Sequence, residues 1–340
     1  MRKVLWSGCC LTILGLLATG PAVADGFVSP LFGLAAAPNG DILVADAGSG
    51  VVEFKGGETL EIALPGITDI SPIGRSSLWV TRTGTEPLAD SGQALLRVSN
   101  GSTRVIANLF AFEAAYDPDG GSAPESNPFD VQSLGGQGAL VADAAANDLL
   151  QVDNRGQIEV LAVFPKELVS TADLKALLGC PSPAEPLCFL PPMLPAQAVP
   201  TSVTVGGDGA YYVGELKGFP APLGESRIWR VAPEASWASC GTTPDCEVVF
   251  DGGFTSIIDM AFGPDGLLYV LEFDEASWFA VELGLGVGAT INACDLDSLI
   301  CEEVVSGLPI ATAIAFDKRG GLWATQNALI PGLATVVAVP

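Results

Sequence analysis

The chain has no histidine among its 340 residues. That absence excludes a Ser-His-Asp triad, an imidazole general base and any histidine-ligated metal. Basic residues are scarce too: 15 Lys and Arg stand against 39 Asp and Glu, a formal net charge of −24. A surface of that sign repels nucleic acid and anionic membranes, and it favours solubility, cations and basic partners. Charged residues of both signs make up only 16% of the chain against 49% apolar ones, a balance suited to short strands buried on both faces. Beyond the N-terminus no apolar run reaches the length of about 18 residues that a membrane-spanning helix needs.

The N-terminus reads as an export signal. Arg2 and Lys3 precede an apolar stretch from Val4 to Leu17, and Ala22-Val23-Ala24 offers the small-x-small pattern of signal cleavage. Residues 1–24 are therefore expected to be removed, leaving a secreted or periplasmic chain that starts at Asp25 and carries 13 basic against 39 acidic side chains, a net −26. In a lipoprotein reading of Leu5-Trp6-Ser7-Gly8-Cys9 the apolar region would follow the cysteine instead of preceding it. Six cysteines remain after export, in close pairs: Cys180 with Cys188, Cys240 with Cys246, and Cys294 with Cys301. Adjacent pairing is the simplest of the fifteen possible connectivities and leaves no thiol nucleophile. No spacing is C-x2-C, so a zinc site is disfavoured.

What is present is a repeat. A glycine-punctuated turn precedes the same short strand six times: ILVAD from Ile42, LWVTR from Leu78, ALVAD from Ala139, YYVGE from Tyr211, LYVLE from Leu268 and LWATQ from Leu322. Ten residues before the third position of each lies Leu34, Ile70, Val131, Val203, Met260 or Ile314, marking a preceding strand. Two further strands follow in most repeats, such as DLLQVD from Asp148 and QIEVLAVF from Gln157. This pattern predicts an all-β domain over 25–340: a six-bladed β-propeller of four-stranded antiparallel blades, closed between its N- and C-terminal segments. The last repeat has only ATVVAVP left after its second strand, so residues near Phe27 and Val28 are expected to complete it. Two insertions break the rhythm. Residues 110–128 read as a loop, and 164–199 as a short helix capped by Ser170 or Thr171 and ended by Gly179, with a proline-rich return.

The strings FEAAYDPDGGSAPESNPFD from Phe112, LVADAAANDLLQVD from Leu140, LAVFP from Leu161 and VPTSVTVGGDGAYYVGELKGFPAP from Val199 resemble the ScyD/ScyE family of secreted bacterial proteins. The resemblance implies a six-bladed, NHL-like propeller and carries no established reaction. The family name comes from proteins encoded with the synthesis of a cyanobacterial sunscreen pigment.

In a propeller, the turns entering the inner strands and those leaving the second strands open on one face. The entry positions are Gly33, Asp69, Asp130, Ser202, Asp259 and Ala313; the exits are Asp46, Arg82, Asp143, Glu215, Glu272 and Gln326. Seven carboxylates and one arginine are thus expected around the channel mouth. One reading makes them ligands of Ca²⁺, with Asp130, Asp259, Glu215 and Asp143 as the set, serving a hydrolase, lactonase or lyase. The other makes them acceptors for turn amides. Aromatic residues Phe129, Trp79, Tyr211, Tyr212, Phe219 and Trp323 are candidates for an apolar slot beside the mouth, with Trp79 and Trp323 read as blade core. Asp117-Pro118-Asp119-Gly120-Gly121 has the look of a calcium loop but lacks the closing glutamate of an EF-hand, and is read as a tight turn. The function expected is binding of a small molecule or protein at the top face by a monomer, without nucleic acid or a membrane span.

Overall fold

The computed structural model describes residues 26–54, 58–83, 92–121 and 123–340; the expected signal peptide lies outside them. Six antiparallel sheets follow one another along the chain. Blade 1 comprises Leu31–Ala36, Ile42–Asp46, Gly50–Phe54 and Glu58–Ala63, and blade 2 Ile67–Pro72, Ser77–Arg82, Ala94–Ser99 and Ser102–Asn108. Blade 3 runs through Pro128–Ser133, Gly138–Asp143, Asp148–Asp153 and Ile158–Val163; blade 4 through Pro200–Val205, Tyr211–Glu215, Ser226–Val231 and Cys246–Phe254. Blade 5 is Ile257–Phe262, Leu268–Glu272, Ala289–Asp295 and Ile300–Leu308, and blade 6 is Ile314–Phe316, Leu322–Gln326 and Thr335–Ala338. The first strand of each blade is innermost, and each inner strand contacts those of both neighbours, blade 6 meeting blade 1. This is the expected six-bladed propeller.

The sequence repeat has a direct structural meaning. Leu34 pairs with Val44, Ile70 with Val80, Val131 with Val141, Val203 with Val213, Met260 with Val270 and Ile314 with Ala324. A ten-residue offset is therefore one cross-strand pair joined by a turn of constant length. Both faces of each blade meet a neighbour, so apolar clusters form at the boundaries. Leu43 and Val51 meet Ile70 and Leu96 between blades 1 and 2, and Trp79 and Leu95 meet Val141 and Val160 between blades 2 and 3. Burying one such aliphatic side chain contributes about 1.5–3 kcal/mol, so the blade boundaries are the main source of stability.

Blade 6 has three strands among the described residues, and Phe27 and Val28 do not form the fourth. Instead the Asp46 carboxylate captures the backbone amides of Val28 and Ser29, at 2.7 and 3.0 Å, and this fixes the segment in a bend. The ring closes nearby: Ser29 Oγ and the Leu31 amide both donate to the Ala328 carbonyl, and Thr312 Oγ1 donates to that of Leu31.

The insertions hold more regular structure than expected. Residues 110–128 open with a helix, Leu109–Tyr116, whose first turn is capped by Asn108 Oδ1 accepting from the Ala111 amide at 2.9 Å. The apolar run LFAFEAAY hides this helix behind the strand before it. In the second insertion the helix spans Ala172–Leu177, Gly179 follows at φ +67°, and Glu167–Ser170 pairs with Met193–Ala196 in a hairpin. Disulfides Cys180–Cys188, Cys240–Cys246 and Cys294–Cys301 have the simplest connectivity. The second closes a loop of blade 4 whose residues Ala238 and Ser239 add a short parallel strand to the outer edge of blade 3.

Candidate functional site

Entry and exit residues do open on one face, but they divide into two sets with different partners. A β-bulge interrupts the pairing just before the entry position in blades 1 to 5. Such a bulge re-aims the side chains around it. At the bulged positions the Thr68 hydroxyl donates to the Pro128 carbonyl at 2.6 Å and Thr201 to that of Ile257 at 2.7 Å, each crossing to the next blade.

One residue further on, Asp69 Oδ2 accepts from the Val131 amide at 3.0 Å, Asp130 Oδ2 from Val203 at 2.5 Å, and Asp259 Oδ2 from Ile314 at 2.7 Å. Each carboxylate thus satisfies the backbone of the following blade. Ser202 is too short to do the same for blade 5, and there Asp259 Oδ1 accepts from the Met260 amide at 2.7 Å. Gly33 leaves room for the neighbour: a Cβ there would sit 1.9 Å from Asp69 Oδ1.

These three aspartates come from blades 2, 3 and 5 and feel one another. Asp69 shares a side-chain hydrogen bond with Asp130 and is repelled by both Asp130 and Asp259. Burial first, then that repulsion, lifts Asp69 and Asp259 well above the usual carboxylate range, and burial raises Asp130 as well.

The exit carboxylates are spent on loops. Asp46 accepts from Val28, Ser29 and Gly48 amides and the Ser49 hydroxyl. Asp143 accepts from Ser126 Oγ and the Asn127 amide, both at 2.6 Å. Glu272 accepts from the Thr255 amide and Asn292 Nδ2, and burial pushes it up to about 7. In three blades, then, the exit carboxylate clamps the lead-in to the inner strand. Glu215 differs: fully buried, it pairs with Lys217 Nζ at 2.6 Å and accepts from Trp229 Nε1 at 2.5 Å. Arg82 Nε donates to the Gly92 carbonyl, and Gln326 is half-buried at the end of its strand. Asp143 and Glu215 are therefore engaged apart from the channel pair Asp130 and Asp259, and the four do not form one ligand set.

The aromatic candidates divide in the same way. Phe129 packs edge-on against Phe32 at 5.6 Å and Phe219 against Phe279 at 5.9 Å, in one apolar cluster with Trp278 on the loop-rich face. Trp79, Tyr212 and Trp323 instead bond Gly135, Asp208 and Asp317 in the turns at the other end of the blades, and Tyr211 is buried among blades 3 and 4. Two buried acids were not singled out by the sequence. Glu113, within the first insertion, and Asp148, at the start of the third strand of blade 3, are buried carboxylates, and Glu113 was visible only as one acid in an apolar run.

No protein-family model matches the chain, and no curated protein sequence does. Solved structures do resemble it. A protein assigned as an oxidoreductase (glucose dehydrogenase) from Thermus thermophilus aligns with a TM-score of 0.56 at 15% identity, covering 93% of this chain and 98% of that one. The calcium-binding protein regucalcin from Agrobacterium tumefaciens gives 0.54 at 14%, covering 92% and 85%. Virginiamycin B lyase from Staphylococcus aureus gives 0.50 at 12%, covering 94% and 87%. At such identities the likeness is one of fold alone.

Proposed function

We propose that the chain is an exported binding propeller of the ScyD/ScyE type, which holds a small molecule or a protein on its loop-rich face. The observation that carries this reading is the division of the carboxylates: Asp46, Asp143 and Glu272 are committed to loop amides and Asp69, Asp130 and Asp259 to inter-blade amides. Groups so engaged are structural acceptors first. The same face carries both insertions, and the second leaves Leu168, Phe189 and Met193 exposed by 69%, 75% and 47%. Apolar side chains gathered on an ordered insertion are an expected feature of a recognition surface. Three short-range disulfides and the basic, apolar N-terminus support export.

A Ca²⁺-dependent hydrolase, lactonase or lyase at the channel is the second reading. It is favoured by the convergence of Asp69, Asp130 and Asp259, whose mutual repulsion a cation would relieve. One experiment separates the two: native mass spectrometry of the protein secreted by its own host. The binding reading expects a bound species that Phe189→Ser with Met193→Ser abolishes and Asp130→Asn retains. The reverse pattern would overturn it and place the ligand in the channel.

A further inference from the structure

Around the first insertion the acidic residues are not spent as they are elsewhere. Carboxylate oxygens of Glu113, Asp117 and Asp119 lie within 4.8 Å of one another, the one such acidic trio among the described residues. Glu113 projects from the helix Leu109–Tyr116, and Asp117 caps that helix in the left-handed region at φ 42°. The next residues fold back as a tight turn, the Gly120 amide donating to the Asp117 carbonyl and the Gly121 amide to Asp117 Oδ1 at 2.8 Å. That turn is the one expected from Asp117-Pro118-Asp119-Gly120-Gly121, and it also gathers oxygens. A Cβ placed on Gly121 would lie 3.1 Å from Asp119 Oδ1, 3.3 Å from the Ala123 carbonyl oxygen and 3.6 Å from Asp117 Oδ1. A glycine here leaves the space between three oxygen donors open.

A second observation comes from the buried side. Glu113 is only 2% exposed, and its Oε2 has no hydrogen-bond partner. Asp148, the first residue of the third strand of blade 3, is 0% exposed, and neither of its carboxylate oxygens has a partner. Burial and the repulsion of Asp143, Glu113 and Asp119 hold its carboxyl well above the usual range. Elsewhere buried acids are answered: Glu215 by Lys217, Asp46 and Asp143 by backbone amides. Among the described residues the ion pair of this cluster is with Lys166, whose Nζ is 3.7 Å from Asp119 Oδ2 and whose side chain is 42% exposed, too solvated to balance several carboxylates. A buried carboxylate without a donor is costly unless something else compensates it.

We propose that Glu113, Asp117 and Asp119, with the backbone carbonyl of Ala123, form a calcium site that fastens the first insertion to blade 3, with Asp148 as the buried carboxylate facing it. The donors are all oxygen, and the chain has no histidine and keeps its described cysteines in disulfides, so softer metals have no ligand. Calcium accepts six to eight oxygens in irregular arrangement, carboxylate and carbonyl together, whereas magnesium demands a near-octahedral set. The second sphere is present as well: Asn147 Nδ2, in the turn between the second and third strands of blade 3, donates to Asp119 Oδ2 at 2.8 Å. An ion here would tie the helix, the turn and blade 3 together. It is distinct from the channel, since Asp69, Asp130 and Asp259 are not among its donors.

The test uses the full mature chain, stripped with chelator and titrated calorimetrically with CaCl₂ and, separately, MgCl₂. One equivalent of Ca²⁺ is expected to bind, with an affinity on the order of 10⁻⁴ M or tighter and preference over Mg²⁺. Asp117→Asn and Asp119→Asn should each weaken binding about tenfold or more, and Asn147→Ala about 10- to 100-fold, as loss of an outer-shell partner does. Asp148→Asn should weaken Ca²⁺ binding while raising the melting temperature of the stripped protein, a combination that loss of folding does not produce. Exposed Asp297→Asn should bind as the wild type. A folded wild type that takes up no Ca²⁺ at about 10 mM, well above the weakest extracellular calcium modules, overturns the site. So does binding that survives Asp117→Asn and Asp119→Asn but is lost in Asp130→Asn, which would place the ion in the channel.

Discussion

Asp69 and Asp130, on the inner strands of neighbouring blades, hydrogen-bond each other through their carboxyl groups. Two carboxylates cannot do so unless the pair holds a proton between them, and both are raised by burial. The channel at neutral pH is therefore less charged than its residue count suggests. Asp69→Asn supplies a permanent donor to Asp130 while its amide oxygen still accepts from Val131. Denaturant unfolding at neutral pH should place this variant at or above wild-type stability. Asp69→Ala strands the Val131 amide and should cost about 1–3 kcal/mol. An Asn variant as unstable as the Ala variant would refute the shared proton.

The pH dependence follows from the same groups. Asp69 and Asp259 lie well above their ordinary 3.8 when folded, and Glu272 is at about 7 against 4.5. The folded state binds more protons than the unfolded chain between these values, so these groups stabilise the fold fully below about pH 4 and lose that contribution as pH rises through their folded values. Melts in chelator should show stability rising from about pH 8 to about pH 5. A fold that weakens steadily over that descent contradicts the assignment.

Lys217 is 1% exposed and lies 2.6 Å from both Glu215 and Glu167. Lys217→Met leaves the Glu215 charge buried and unpaired, and should cost about 3–5 kcal/mol. Adding Glu215→Gln should restore much of that loss; equal losses in the single and double variants would show that packing, not charge, is at stake.

Cys240 and Cys246 close a loop with a sequence separation of 6 whose Ala238 and Ser239 lie against blade 3. Replacing both by Ser should cost about 2–3 kcal/mol on the loop-entropy estimate. Amide exchange at Cys240 and Trp237, which donate to Val163 and Val160, should accelerate first. Unchanged exchange there would separate the disulfide from the blade contact.

Export is expected to end at Ala22-Val23-Ala24, so N-terminal sequencing of the secreted protein should read Asp25 first. Retention of Met1 would contradict this.

The fold was legible because one cross-strand pair repeats with a fixed offset: Val131 with Val141 and Val203 with Val213 are visible in the sequence and in the sheet alike. The candidate site was less so. Sequence alignment places Asp69 and Asp143 on one face, but it cannot show that a bulge aims the first across a blade boundary while the second turns back on Asn127. Trp79 and Trp323 read correctly as blade residues, yet their indoles report on the far turns. Glu113 and Asp148 escaped notice because they are 35 residues apart and break no repeat, and only the return of the insertion onto blade 3 brings them near.

Among the described residues the main strands of each blade come from one continuous stretch of chain, and the ring is latched by Ser29, Leu31, Thr312 and Ala328. Evolution can therefore treat the blade as a whole cassette. Duplication or circular permutation at a blade boundary keeps the main strands of each cassette together, its cost falling on the apolar boundary and, between blades 3 and 4, on the short strand Ala238–Ser239, a freedom closed to propellers whose last blade is woven from both termini.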